Sequence, residues 1–112
     1  MSEPIVEVES LDELNRLVVQ WGHERQIIEN STAKDQYLKC VSEVGELADA
    51  IAKRRHDDLI DAIGDVTVTL IMVAECAGID LPYCLHSAWN QIKDRTGHLT
   101  PDGVFVKDDD QQ

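Results

Sequence analysis

Four acidic side chains in the middle of this 112-residue chain have the chemistry and the spacing to bind a metal ion. Glu43 and Glu46 are three residues apart, so on a helix they project from one face. Asp61 and Asp65 are four residues apart and share a face in the same way. Carboxylate oxygens are the ligands that Mg²⁺ and Mn²⁺ prefer. If two antiparallel helices carry these pairs, the carboxylates converge and the sequence predicts a divalent-cation site.

A simpler interpretation is that these carboxylates belong to solvent-exposed helix faces, where most glutamates and aspartates lie. Against it, several like charges in a partly buried site are costly unless a cation neutralises them. Two glycines, Gly45 and Gly64, also stand beside the acids, and each costs about 1 kcal/mol of helix propensity relative to alanine. Close approach of the two helices, or room for a metal and a ligand, would offset that cost.

Apolar residues at three- and four-residue intervals predict helices for the segments that must position these acids. Ser10 and Glu13 form a capping box at the start of a first helix, which extends to about Arg25. A second helix opens near Thr32, carries the two glutamates and ends in the cationic run 53–55. Positive charge suits the C-terminal end of a helix, so this run is interpreted as a partner of the helix dipole rather than as a phosphate ligand.

The third predicted helix carries the two aspartates. Either Asp57 or Asp58 can cap its start, and Gly78 is placed to end it. A fourth helix is predicted over 80–97, with an aspartate as cap and a proline in the first turn. After a turn, the segment 104–106 is predicted to be short and extended.

Short connections favour antiparallel helices, as at the predicted turn over 56–57, so the sequence predicts an all-α, four-helix bundle. We expect one domain over 1–112, with flexible ends over 1–9 and 107–112. The third helix is apolar on nearly every face over 66–74, and so small a chain cannot easily bury such a helix alone. We therefore expect a homo-oligomer, either a dimer or a tetramer.

Acidic residues outnumber basic ones by 22 to 10, which gives a net charge of -12. Such a surface repels a phosphate backbone, so we expect no nucleic-acid partner. No apolar run is long enough to span a bilayer, and the N-terminus lacks the parts of a signal peptide, so we expect a cytoplasmic protein with no membrane partner. The three cysteines and four histidines form no metal-binding or catalytic pattern and are interpreted as packing or surface residues.

Three stretches resemble one known family. They are SEVGELADAI at 42–51, DAIGDVTVTLI at 61–71 and WNQIKDRTGHLTPDGVFVK at 89–107. They are similar to the MazG-like nucleoside triphosphate pyrophosphohydrolases, in the short single-domain form of bacteria and their phages, and the similarity covers about 16–107. The resemblance implies an all-α hydrolase that uses Mg²⁺, with Mn²⁺ as an alternative. It also implies cleavage of (deoxy)nucleoside triphosphates into a monophosphate and pyrophosphate.

In that family an EExxE motif on one helix holds the metal. Glu43 and Glu46 match its second and third glutamates, while Ser42 stands at the position of the first. That first position is usually not a direct ligand, so its loss affects mainly the support of the ligands. Of the two matching glutamates, Glu46 is proposed to accept the proton of the attacking water, and Glu43 is the alternative, since nothing in the sequence distinguishes the two.

An ExxD motif on the next helix completes the family's metal site. Asp65 matches its aspartate, but Ala62 occupies the position of its glutamate. Asp61 lies on the same face as Asp65, and we expect it to supply the missing oxygen; Asp58 is a weaker substitute. The expected catalytic and metal-binding set is therefore the two glutamates with Asp61 and Asp65.

The nucleotide itself is expected to contact a second group of residues. Asn90, Lys93 and Arg95, placed on the fourth helix, resemble the family's C-terminal residues that contact the triphosphate. An equally acceptable interpretation is that the two cations only complement a helix C-terminus. For base stacking, Trp21 is preferred over Trp89, although tryptophans at helical spacing usually pack in a core or an interface.

Three hypotheses follow, from different classes. The first is a magnesium-dependent pyrophosphohydrolase that clears surplus or non-canonical nucleoside triphosphates. The second is a degenerate relative that serves as a helical nucleotide-binding or protein-interaction module without turnover, which Ala62 and Ser42 would permit. The third is a purely structural helical bundle.

Overall fold

The computed structural model describes residues 8–108. Within that range the chain forms five helices and one β-hairpin, in the order α1 (Leu11–Glu24), α2 (Ile27–Asn30), α3 (Ala33–Lys53), α4 (His56–Cys76), α5 (Leu81–Ile92), β1 (Gly97–Leu99) and β2 (Phe105–Lys107). The all-α prediction is confirmed. The number of helices over 8–108 is five rather than the predicted four, because α2 was missed.

The start of α1 follows the capping prediction in part. The Ser10 hydroxyl accepts a hydrogen bond from the Glu13 amide at 3.1 Å. The Glu13 carboxylate, however, accepts from the Arg16 guanidinium at 3.0 Å, so it is engaged one turn further along the helix. The additional helix α2 is four residues long and follows Gln26, whose φ of 60° turns the chain sharply. A helix this short leaves no periodic apolar pattern in the sequence.

The helices α3 and α4 form the hairpin on which the acids lie. The Thr32 hydroxyl caps α3 by accepting from the Asp35 amide at 3.1 Å. At the other end Arg54 adopts φ 55°, and the Arg55 amide donates to the Ala50 carbonyl, which is a Schellman ending. The two-residue connection makes the two helices antiparallel neighbours, as expected.

The connection between α3 and α4 lies two residues earlier than predicted. Because the left-handed Arg54 already reverses the chain, the turn is at 54–55 rather than 56–57, and His56 is the first residue of α4. Asp57 and Asp58 therefore lie in the first turn of α4 and do not cap it; the N-cap position belongs to Arg55. Their negative charge still suits a helix N-terminus.

Helix α4 runs without interruption through a β-branched stretch, 66–70, that propensity alone would allow as a strand. Two hydroxyls there bond back to the helix, from Thr67 to the Ile63 carbonyl at 2.8 Å and from Thr69 to the Val66 carbonyl at 2.8 Å. Gly78 ends the helix as predicted: it adopts φ 75°. The following Ile79 amide then donates to the Ala74 carbonyl at 2.9 Å.

The buried core lies between α1, α3 and α4. Met72 is its most buried large side chain, at 2% exposure. The backbone of α1 comes close at Gly22, where a Cβ atom would stand 2.8 Å from the Met72 sulfur. The other buried apolar residues are Cys40, Ala50, Ala62, Ile71 and Ala74. Gly45 and Gly64 have no atom within 4 Å of where a Cβ would lie, so close approach of α3 and α4 is not the reason for these glycines.

Contacts divide the chain into two compact units after Pro82. The first unit holds α1 to α4, and the second, from Tyr83, holds the rest of α5 and the hairpin. Within residues 8–108 no single helix is long and apolar enough to cross a membrane; only α4 and α5 taken together as a bent pair reach such a length and composition. The single-domain prediction stays a prediction, and the predicted flexible ends fall largely outside the described residues.

The second unit corrects the end of the fourth predicted helix. Helix α5 stops at Ile92, and Gly97 begins β1 instead of ending the helix. Gly97 pairs with Lys107 in the antiparallel hairpin, and a Cβ at this position would lie 2.1 Å from the Val106 carbonyl oxygen. The glycine is therefore required by strand contact rather than by helix termination. The predicted extended segment corresponds to β2.

Candidate functional site

A cavity of about 250 Å³ lies between α3 and α4 at the end of the hairpin that includes the turn. Five carboxylates line it, those of Glu46, Asp49, Asp58, Asp61 and Asp65. The spacing of these residues explains their common direction. On each helix the acids follow one another at intervals of three or four residues, and the two helices turn these faces toward the same space.

Two small side chains leave room for this cavity. Ala50 of α3 and Ala62 of α4 both line it, and their exposed fractions are 5% and 6%. Larger residues at these positions would fill the space between the helices. The alanine that departs from the family motif, Ala62, therefore forms part of the cavity wall.

Three of the four predicted acidic residues are brought together here. Glu46 reaches the cavity from α3, and Asp61 and Asp65 reach it from α4. The fourth, Glu43, lies one turn before Glu46 and does not line the cavity. Its residue exposure is only 9%, its Oε1 lies 3.3 Å from the Lys39 ammonium, and its buried Oε2 has no hydrogen-bond partner within residues 8–108.

The two glutamates perturb each other. The hydrogen bond with Glu46, followed by that with Lys39, lowers the pKa of the Glu43 carboxyl. The same hydrogen bond, together with the charge of Glu43, raises the pKa of the Glu46 carboxyl. The charge of Asp65 raises the Glu46 pKa further, so carboxylates of α3 and α4 are close enough to interact. Of the two carboxyls, Glu46 therefore has the higher affinity for a proton.

Sequence reasoning missed one acid of the cavity, Asp49, and did not place two cations there. Asp49 lies one turn beyond Glu46, and the spacing alone could have added it; Asp58 was ranked only as a weaker substitute. Lys53 and Arg55, interpreted as partners of the helix dipole, also line the cavity. Among the described residues Lys53 makes no ion pair, and the Arg55 guanidinium lies 3.7 Å from the Asp58 carboxylate.

The oxygen donors of these carboxylates fit hard divalent cations such as Mg²⁺ and Mn²⁺. Within residues 8–108 no three carboxylate, imidazole or thiol groups lie close enough together to enclose one ion. Magnesium, however, is commonly held by one or two carboxylates, with water and substrate phosphates completing its coordination. The wall of spaced carboxylates and the buried, unpartnered Oε2 of Glu43 fit that arrangement better than a closed protein cage.

Trp21 lies in the same unit as the acids. Its neighbour Gly22 packs against Met72, which follows Asp65 by seven residues, or about 10 Å along α4. The Arg25 guanidinium lies 4.9 Å from the centre of the Trp21 ring, so one face of the ring already carries a cation.

The remaining predicted nucleotide-binding residues belong to the unit that begins at Tyr83. Asn90 lies on α5, with its side-chain amide 3.1 Å from His86 Nε2. Lys93 and Arg95 do not lie on the helix as predicted, because α5 ends at Ile92. Their role at the acidic cavity stays a prediction.

Comparison with known proteins gives three findings. A family model described as the MazG nucleotide pyrophosphohydrolase domain matches residues 32–100. An uncharacterised 18.2 kDa protein of Haemophilus phage HP1, from its rep-hol intergenic region, is 36% identical over 70 residues. That match covers 62% of this chain but only 43% of the phage protein.

The third finding is a similar solved structure. It is a MazG-like pyrophosphohydrolase of cyanophage S-2L, bound to dGDP and three catalytic Mn²⁺ ions per active site. The two structures superpose with a TM-score of 0.67 over 89% of this chain and 94% of the other, at 20% sequence identity. This likeness supports the all-α fold.

Proposed function

Because the chain belongs to the family of MazG nucleotide pyrophosphohydrolase domains, we propose that it hydrolyses (deoxy)nucleoside triphosphates to a nucleoside monophosphate and pyrophosphate, using Mg²⁺ or Mn²⁺. The hydrolysis of nucleotide phosphoanhydride bonds is the enzyme class of this family. The single observation that carries the proposal is the carboxylate-lined cavity between α3 and α4. The manganese and dGDP bound by the cyanophage protein support a divalent metal and a nucleotide as ligands.

The expected metal-binding residues are Glu43, Glu46, Asp61 and Asp65. When bound there, divalent cations supply charge neutralisation for the phosphate oxygens and help to activate the attacking water. Glu46 and the α4 aspartates line the cavity and would hold these cations there. Glu43 borders the cavity one turn away, where its charge acts on Glu46.

Glu46 is the proposed proton acceptor. The water oxygen bonds to phosphorus, the anhydride bond between the α- and β-phosphates breaks, and pyrophosphate takes the bonding electrons. The proton of the water passes to a Glu46 oxygen. The hydrogen bond with Glu43, together with the charge of Glu43, raises the pKa of the Glu46 carboxyl, which makes the Glu46 carboxylate a stronger base than an ordinary glutamate.

Four further residues are proposed to bind the nucleotide. Trp21 would stack on the base by the ring face that Arg25 leaves open, and Asn90, Lys93 and Arg95 would contact the triphosphate. The distance of about 10 Å along α4 between the level of Trp21 and Asp65 suits a ligand whose base and phosphates lie apart.

The assembly is proposed to be a homodimer or a tetramer. Apolar side chains on the outer faces of α3 and α4 are about half exposed, among them Val41, Val44, Ile60 and Ile63. Exposed apolar side chains on two neighbouring helices are typical of an interface. Burial in a second copy would cover these side chains, whereas the apolar stretch 66–74 of α4 is already largely buried within the chain, with Ile71, Met72 and Ala74 in the core. A cytoplasmic location remains our prediction.

A second candidate function is nucleotide binding without turnover. The observation that favours it is Ala62, which stands in the cavity wall where the family motif has a glutamate. The chain also spans only 43% of the length of the Haemophilus phage relative, so the activity of any larger protein is equally a proposal.

Pyrophosphate release distinguishes the two candidates. The protein is incubated with Mg²⁺ and a panel of nucleoside triphosphates, and pyrophosphate and monophosphate are measured together. We expect equal amounts of both from the wild type and from Asp57→Ala, because Asp57 does not line the cavity. We expect neither from Asp65→Ala. Binding of nucleotide without product by the wild type would favour the non-catalytic module.

A further inference from the structure

We propose that Lys53 and Arg55 bind the γ-phosphate of the substrate and so select triphosphates over shorter nucleotides. The proposal deepens the function proposed for the cavity and rests on it. The observation behind it is that both cations line a cavity whose other charged groups are all carboxylates.

The cavity has a cationic end at the turn and an acidic end farther along the two helices. Lys53 follows Glu46 by seven residues on α3, a separation of about 10 Å along the helix. Arg55 stands at the start of α4, while Asp65 lies seven residues beyond Asp58, again about 10 Å along the helix. The cations are thus at the turn, and the Glu46 and Asp65 carboxylates are at the far end.

This arrangement orients an extended polyphosphate. With the scissile bond beside Glu46 and Asp65, the β- and γ-phosphates point along the groove toward the turn. At the turn, side chains of the protein supply positive charge. At the far end, bound cations must neutralise the carboxylates before phosphate can bind. Ammonium and guanidinium groups are the usual phosphate ligands of proteins, and the guanidinium can donate two parallel hydrogen bonds.

Both side chains are available for this role. Among the described residues Lys53 has no ion-pair partner. The Arg55 guanidinium has one, Asp58, at 3.7 Å, a separation longer than a good hydrogen bond. Both members of that pair are more than half exposed, so the contact stabilises little and can yield to a phosphate. Neutralising the nearby aspartates is the competing explanation for the two cations.

Binding measurements separate these explanations. The probes are α,β-methylene nucleoside triphosphate and the matching nucleoside diphosphate, in the presence of Mg²⁺, and the readout is each dissociation constant by titration calorimetry. The variants are Lys53→Gln, Arg55→Gln and the double variant. The matched control is Arg54→Gln, which removes the same charge from the same turn at a residue that does not line the cavity.

We expect the double variant to bind the triphosphate at least about tenfold more weakly, since hydrogen bonds between charged groups are being removed. Diphosphate binding should change by less than about threefold, which also shows that the variant is folded. Arg54→Gln should behave like the wild type. Unchanged triphosphate binding, equal weakening of both nucleotides, or an equal effect of Arg54→Gln would each overturn the proposal.

The test also separates this inference from the proposed reaction. A wild-type protein that prefers triphosphate through Lys53 and Arg55 but releases no pyrophosphate would contradict hydrolysis and leave the inference standing. A wild-type protein that releases pyrophosphate while the double variant keeps full triphosphate affinity would contradict the inference and leave the proposed hydrolysis standing. A wild type that binds neither nucleotide would contradict both.

Discussion

Replacing Asp61 and Asp58 one at a time tests which aspartate of α4 takes the place of the motif glutamate that Ala62 replaces. Both aspartates line the cavity, and Asp→Asn keeps the shape of the side chain while removing its charge. They differ in distance from Asp65. Asp61 is four residues away, about 6 Å along the helix axis, and Asp58 is seven residues away, about 10 Å.

The geometry of metal coordination predicts how much activity each substitution removes. Oxygen ligands of magnesium lie about 2.0–2.1 Å from the ion, so two aspartates can share one ion only if their backbones are near neighbours. Asp61 meets that condition with Asp65, and Asp58 does not. Loss of groups that merely support metal ligands costs roughly 10–100-fold in affinity or activity. Loss of a direct ligand should cost at least about 100-fold in kcat/KM, or about 2.7 kcal/mol of transition-state stabilisation.

The assay is pyrophosphate release at several Mg²⁺ concentrations. We expect Asp61→Asn to lose at least about 100-fold and to recover partly at high Mg²⁺, and Asp58→Asn to stay within about threefold of the wild type. Full activity of Asp61→Asn would show that it is not the substitute ligand. An equal loss in Asp58→Asn would show that the site is spread along the whole wall rather than centred near Asp65.

Three further predictions concern the glutamate pair, the helices and the assembly. Glu43→Gln should lower the raised pKa of the Glu46 carboxyl toward its ordinary value in the metal-free protein, because the neighbouring charge is gone. Carboxyl-carbon NMR titration measures this pKa, and an unchanged value would contradict the coupling of the two glutamates. Gly78→Ala should destabilise the protein by about 1 kcal/mol, since φ is 75° there. Gly45→Ala should stabilise it by about 1 kcal/mol, since that helical position is open. Denaturant unfolding measures both changes in the free energy of unfolding, and changes of the same sign would contradict the distinction between these two glycines. Ile63→Glu should convert an oligomer into a monomer in sedimentation, and a wild-type monomer at micromolar concentration would contradict the proposed interface.

The long helices were predictable because their signals are redundant. The apolar periodicity of α3 and α4, the Thr32 cap and the stop at Gly78 all point to the same boundaries. The errors fall where one residue decides the geometry. Arg54 adopts a left-handed conformation that few non-glycine residues take, and this moved the turn by two positions. Gly97 looks like a helix terminator, but strand contact is what requires it.

The candidate site was predictable to a similar degree and for related reasons. Helical spacing was enough to place Glu46, Asp61 and Asp65 on facing sides of two antiparallel helices. Spacing does not reveal depth, so it could not show that Glu43 lies buried beside the cavity rather than in its wall. Nor could it show that Lys53 and Arg55 line the cavity, because their directions depend on where the chain turns.

Carboxylates of α3 and α4 together are proposed to hold the divalent cations that receive the triphosphate. Crystals grown with Mn²⁺ and an α,β-methylene nucleoside triphosphate test this proposal directly, through the anomalous scattering of manganese. We expect manganese within coordinating distance of both Glu46 and Asp65, with phosphate oxygens completing its coordination. Manganese bound elsewhere, or a triphosphate bound with no ion between these two side chains, would contradict it.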